Sequence, residues 1–149
     1  MATYLADTNL LLRLADAASS QHRIAADALA GLIGRGHEVY LTPQNFIEFW
    51  AVATRPVEAN GFGWTSERTA KEVTDLQARF PLLPDSAEIF ARWLELVKRL
   101  PVQGKRVHDA RLVAALQTTI QALFLAMAGF ETSNFSSSGL NAMRIRTRS

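Results

Sequence analysis

A short apolar run at the start of the chain ends in a carboxylate, and this arrangement constrains the fold more than any other feature. Residues 3–6 read as a short buried strand, and Asp7 interrupts the apolar pattern before the three leucines at 10–12 resume it. A charge at such a position is costly unless a partner compensates it. Two other isolated acids, Glu48 and Asp109, also stand inside apolar runs. The sequence therefore predicts that the three acids share a cationic partner.

Composition narrows the class of protein. The chain has 149 residues, nearly half of them hydrophobic, which fits one domain with a sizeable core spanning 1–149. Cysteine is absent, which excludes disulfides, thiolate metal sites and a cysteine nucleophile, and fits the cytoplasm, where we expect the protein. No apolar run reaches membrane-spanning length, so we expect no membrane partner.

The net charge of +2 depends on the last six residues, which contain Arg144, Arg146 and Arg148. Without those three, 13 basic residues face 14 acidic ones. The body of the chain is therefore not basic, and charge alone does not predict nucleic-acid binding.

Short strands and helices alternate along the chain, which indicates an α/β fold with a mostly parallel sheet. Thr42 and Pro43 have the residue types of an N-cap and a first helical position, and Asp85 and Glu88 have the spacing of a capping box. The segment after about residue 118 is Ser- and Arg-rich, and we expect it to be atypical and irregular. The pattern predicts strands at 3–6 and 38–41 and helices at 20–33, 43–55, 65–79, 85–100 and 108–116.

The three acids can meet at one edge of such a sheet. Asp7 follows the first strand, Glu48 lies on the second turn of the helix entered from the second strand, and Asp109 lies early in a late helix. Ligands of open parallel sheets bind outside the carboxyl ends of the strands. Oxygen ligands gathered there suit Mg²⁺ or Mn²⁺, which would remove the repulsion between the carboxylates.

Simpler explanations exist for each acid. Asp7 and Asp109 have the residue type and placement of helix N-caps. Glu48 lacks a cap role, and a buried salt bridge is its main alternative.

Three segments carry a resemblance to a known family: LADTN at 5–9, TPQNFIEF at 42–49 and GKRVHDARLVAA at 104–115. In order, spacing and flanking apolar pattern, they resemble the PIN-domain family, and most of all the VapC-type toxin ribonucleases of prokaryotic toxin–antitoxin pairs. The similarity runs from residue 3 to about 117. It implies a three-layer α/β/α domain with a central, mostly parallel sheet.

The resemblance also implies an activity and partners. The expected activity is that of a Mg²⁺- or Mn²⁺-dependent endoribonuclease, in which Asp7, Glu48 and Asp109 hold the metal and act in catalysis. The expected partners are the RNA substrate, a cognate antitoxin and a second copy in a homodimer. Residues expected to support the first acid or to position metal water or substrate are Thr8, Asn9, Asn45, Arg111 and Asn134.

The sequence departs from the family pattern near its end. The closest match to the family's Thr-x-Asn turn is Thr132-Ser133-Asn134, and Ser137 stands where a fourth acid is usual. This leaves open an alternative function, a catalytically weak PIN-like module that binds a partner protein or RNA. A phosphatase of the haloacid-dehalogenase type is disfavoured, because that chemistry needs an acid where Asn9 stands.

Overall fold

The computed structural model describes residues 2–124, 130–132 and 142–147. It contains a four-stranded sheet and six α-helices within those ranges. Among the described residues, no helix is both long enough and apolar enough to cross a membrane. The elements in chain order are β1 (Thr3–Ala6), α1 (Thr8–Ala15), α2 (His22–Gly34), β2 (Glu38–Tyr40), α3 (Pro43–Thr54), α4 (Ser66–Arg79), α5 (Ala87–Arg99), α6 (Arg106–Phe124), β3 (Phe130–Thr132) and β4 (Ala142–Thr147).

The sheet has the order β2-β1-β4-β3. β1 and β2 run parallel, with Tyr4 opposite Val39, and Leu41, which follows β2, forms a separate parallel bridge with Leu82. β4 pairs antiparallel with β1 and with β3. The α/β class is confirmed, and the parallel β1–β2 pair brings the carboxyl ends of both strands to one edge of the sheet.

Helices cover both faces of this sheet, as the alternation of buried side chains along β1 and β2 shows. Ala6 and Val39 face a core built from α1, α2, α3 and α4. Leu5, which precedes Ala6 on β1, faces the opposite side of the sheet and packs with Leu112 and Leu116 of α6. The predicted three-layer α/β/α arrangement is confirmed.

Helix starts follow the sequence signals closely at α3. Thr42 is the N-cap, Pro43 occupies the first helical position, and Asn45 completes a capping box with Thr42. A Thr cap accepts from a backbone N–H that has no partner inside the helix, which fixes where the helix begins.

The predicted start of α5 is wrong. Ser86 is the N-cap of this helix, and it makes no side-chain cap hydrogen bond. Asp85 instead pairs with Arg111 of α6 at 3.1 Å. A long-range ion pair therefore takes the carboxylate that local spacing assigns to a cap.

Candidate metal centre

Asp7 lies between β1 and α1, at the carboxyl end of the strand. Its side chain caps α1, accepting a hydrogen bond from the backbone N–H of Asn9 at 3.4 Å, and Asn9 Nδ2 donates to its other oxygen at 3.2 Å. The cap role considered for Asp7 is therefore present. Each carboxylate oxygen has a second lone pair, so capping leaves it free to bind a cation as well.

Glu48 lies on the second turn of α3, half-buried, and both of its oxygens are engaged. Oε2 accepts from the Thr8 hydroxyl at 2.7 Å, and Oε1 accepts from Gln44 Nε2 at 2.8 Å. His108 Nδ1 lies 3.8 Å from Oε1 in the geometry of a weak ion pair, which carries charge only when the imidazole is protonated. Each oxygen of the carboxylate thus has its own hydrogen-bond donor, which limits rotation of the group.

Asp109 lies in the first turn of α6, three residues inside the helix that begins at Arg106. It is therefore not the N-cap of α6, and the cap explanation for this acid is wrong. Partial burial raises the pKa of the Asp109 carboxyl, and the charges of Asp7 and Glu48 raise this pKa further, while His108 and Arg106 lower it. Asp109 is therefore repelled by the negative charge of both other acids.

The remaining residues expected at the site have different surroundings. The resemblance implied that Thr8 supports Asp7, whereas its hydroxyl binds Glu48. Asn45 is fully buried, with Nδ2 donating to the Ala6 carbonyl at 3.1 Å and to Thr8 Oγ1 at 3.3 Å. Asn134 lies outside the described residues.

Arg111 was expected to position metal water or phosphate. Its guanidinium donates to Gln44 Oε1 at 3.1 Å and to Asp85 Oδ1 at 3.1 Å. These contacts direct Arg111 toward protein groups beside the acids.

The donor set suits a hard divalent cation, since all three groups supply carboxylate oxygens and repel one another without a counter-charge. As the side chains stand, no three His, Asp or Glu groups within residues 2–124 and the two described strands form a compact ion-binding cluster. The chemistry and electrostatics of the acids therefore fit a cation, and side-chain adjustment would be needed to surround it.

Gln44 is a residue of the candidate site that the sequence analysis did not identify. It is buried beside Glu48 and also donates to the His108 carbonyl at 3.1 Å. Its spacing of four residues from Glu48 places the two on one helix face, which was the available signal. Its contacts with α6 cross more than sixty residues of sequence and left no local pattern.

Comparison with known proteins supports the assigned fold. The family model described as "PIN domain" matches residues 4–126. The crystal structure of VapBC2 from Rickettsia felis bound to a DNA fragment from their promoter contains a chain that superposes with a TM-score of 0.54. The two are 12% identical, and the match covers 76% of this chain and 79% of that chain. No curated protein matches this sequence.

Proposed function

The chain belongs to the PIN-domain family, and from this premise we propose that it is a metal-dependent endoribonuclease, the toxin of a prokaryotic toxin–antitoxin pair. The observation that carries the proposal is the contact network of Glu48. This acid binds Thr8, the neighbour of Asp7, and lies beside His108, the neighbour of Asp109. These two contacts link Glu48 to the neighbours of both other acids, which supports a shared site at one edge of the sheet.

In the proposed reaction, Asp7, Glu48 and Asp109 would hold Mg²⁺ or Mn²⁺ at this edge. The metal would neutralise charge on the scissile phosphate and lower the pKa of an attacking water. Asn9 holds the Asp7 carboxylate in place, and Thr8 does the same for Glu48.

Arg106 supplies positive charge next to the acids, and His108 lies beside it. Arg106 and His108 are exposed in the first turn of α6, and both act electrostatically on Asp109. We propose that they face the RNA backbone, because phosphate contacts dominate nucleic-acid affinity. We propose that this activity takes place in the cytoplasm. RNA is available there, and a chain without cysteine fits a reducing compartment in which disulfides rarely form.

We also propose an antitoxin partner and a homodimer. The structural neighbour is a VapBC complex, which supports the antitoxin. Ile47 and Trp50, one helical turn apart on α3, are exposed at 69% and 37%, and exposed apolar side chains of this kind commonly serve protein contacts. Molar mass measured by light scattering tests the dimer, and a monomer at high concentration would contradict it.

The alternative is a catalytically weak PIN-like module that binds RNA or a partner. The sequence supports this alternative, because no acid follows Glu131 and Ser137 stands at the family's fourth acidic position.

One assay separates the two functions. RNA cleavage is measured with Mg²⁺, with Mn²⁺ and with EDTA, for the wild type and for Asp7→Asn. The nuclease proposal expects metal-dependent cleavage that falls at least about 100-fold in the variant, the scale of losing a group that stabilises the transition state. Equal activity in both proteins, or none in either, would leave the binding module as the better description.

A further inference from the structure

Gln44 connects Glu48 to α6 through three hydrogen bonds. It lies at the second position of α3 and is only 7% exposed. Nε2 donates to Glu48 Oε1 at 2.8 Å and to the His108 carbonyl at 3.1 Å, and Oε1 accepts from Arg111 Nη1 at 3.1 Å. Both polar atoms of this buried amide therefore form hydrogen bonds with Glu48 or with groups next to it.

The orientation of this amide is determined by its neighbours. The groups at Nε2 are a carboxylate and a carbonyl, which only accept hydrogen bonds, and the group at Oε1 is a guanidinium, which only donates. The reversed orientation would place oxygen against oxygen and NH₂ against guanidinium. Arg111 therefore dictates that Gln44 presents its NH₂ to Glu48.

Arg111 is anchored at its other end. Its Nη2 binds Asp85 Oδ1 at 3.1 Å, in the segment that leads into α5. The chain of contacts runs from Asp85 through Arg111 and Gln44 to Glu48, and joins the entry of α5, the first turns of α6 and the first turn of α3. A guanidinium held at both ends has little freedom to follow a substrate.

We propose that Gln44 and Arg111 are positioning residues that set the orientation of the Glu48 carboxylate for cation binding. This inference rests on the proposed function, because it assigns Glu48 to the metal. Without Gln44, Thr8 still holds Oε2, but Oε1 loses its direct hydrogen-bond donor. Groups that orient a metal ligand typically contribute about 10- to 100-fold to metal affinity.

The first test is Mg²⁺ and Mn²⁺ affinity by titration calorimetry. Gln44→Met keeps an unbranched side chain of similar length and removes all three hydrogen bonds. We expect metal affinity to fall by about 10- to 100-fold with an unchanged circular dichroism spectrum. Gln77→Met, the same change at an exposed position of α4, is the matched control and should bind metal like the wild type. Equal affinity in Gln44→Met and the wild type would overturn the proposal.

Arg111→Met tests whether Arg111 acts through Gln44. We expect a similar loss of metal affinity, and no additional loss when Gln44→Met and Arg111→Met are combined. If Arg111→Met raises the KM for RNA while metal affinity is unchanged, Arg111 contacts the substrate and its positioning role is wrong.

A metal-free readout separates this inference from the proposed function. The side-chain NH₂ resonances of Gln44, assigned by their loss in Gln44→Met, should shift in the Arg111→Met spectrum recorded in EDTA. Absence of a shift would overturn the amide network whether or not the wild type binds metal. A wild type that binds no metal, with the shift present, would contradict the nuclease proposal and the role in cation binding, and would leave the network as a structural one.

Discussion

Thr8 Oγ1 donates a 2.7 Å hydrogen bond to Glu48 Oε2 across forty residues of sequence. The same hydroxyl accepts from Asn45 Nδ2, so its single proton is directed at the carboxylate. The residue that follows the first acid thereby orients the second. This contact fixes the position of Glu48 relative to the chain segment that carries Asp7.

Thr8→Val should weaken metal binding while leaving the fold intact. Valine has nearly the same shape and lacks the hydroxyl, so Glu48 loses the donor at Oε2. We expect metal affinity to fall by about 10- to 100-fold, measured by calorimetry. Thr8→Ser keeps the hydroxyl and should bind metal nearly as well as the wild type. A Thr8→Val protein with wild-type affinity would remove Thr8 from the site.

Asp109→Asn should make the metal-free protein more stable at neutral pH. Burial, Asp7 and Glu48 raise the folded-state pKa of Asp109 above its unfolded value. Ionised Asp109 therefore destabilises the fold, and this destabilisation disappears as the pH falls through the raised pKa. Thermal melts in EDTA should show a higher Tm for Asp109→Asn at neutral pH and a shrinking difference toward acid pH.

Saturating Mg²⁺ should reverse that order. A ligand at 100 times its Kd stabilises the protein that binds it by about 2.7 kcal/mol, and Asp109→Asn lacks one of the three carboxylates. Asp75→Asn, an exposed acid on α4, serves as the control and should follow the wild type in both conditions. A lower Tm for Asp109→Asn in EDTA at neutral pH would contradict the repulsion between the acids.

Asn45→Ala should destabilise the domain more than any substitution of a surface polar residue. Asn45 is fully buried. Its Oδ1 accepts a hydrogen bond from the Thr42 N–H at 2.7 Å, and its Nδ2 donates one to the Ala6 carbonyl. Alanine leaves these buried groups without their partner, at a cost of about 3 kcal/mol in the free energy of unfolding. Urea titration measures this cost, and a loss below about 1 kcal/mol would show that water replaces the amide.

Gly61→Ala should also destabilise the fold. A Cβ at this position would lie 2.1 Å from the backbone oxygen of Arg55, so the loop between α3 and α4 must shift. Overpacking of this kind costs about 1 to 3 kcal/mol. Gly34→Ala, where a Cβ meets open space at the end of α2, is the control and should be neutral or slightly stabilising.

Local signals in the sequence predicted those elements whose ends are marked by local chemistry. The β1 bounds are as predicted because an apolar run stops at Asp7, and α3 begins where Thr42 and Pro43 indicate. The antiparallel pairing of β4 with β1 was not predicted. Strand direction within a sheet depends on tertiary packing, which the sequence of a single short strand does not encode.

The three acids of the candidate site stand out in the sequence because each interrupts an apolar run. The contacts of Gln44 and Asp85 with Arg111 do not, since Arg111 lies far from both in the chain. Polar residues that satisfy one another across a fold leave no periodic pattern.

The Asn45 side chain joins the end of β1 to the first turn of α3, and this has a consequence for folding. The gathering of Asp7 and Glu48 depends on α3 being docked, so a chain in which this helix has locally opened has no assembled site. Amide hydrogen exchange should show the first turns of α1 and α3 opening together as one cooperative unit. The proposed nuclease site therefore forms only in a chain whose domain has completed folding.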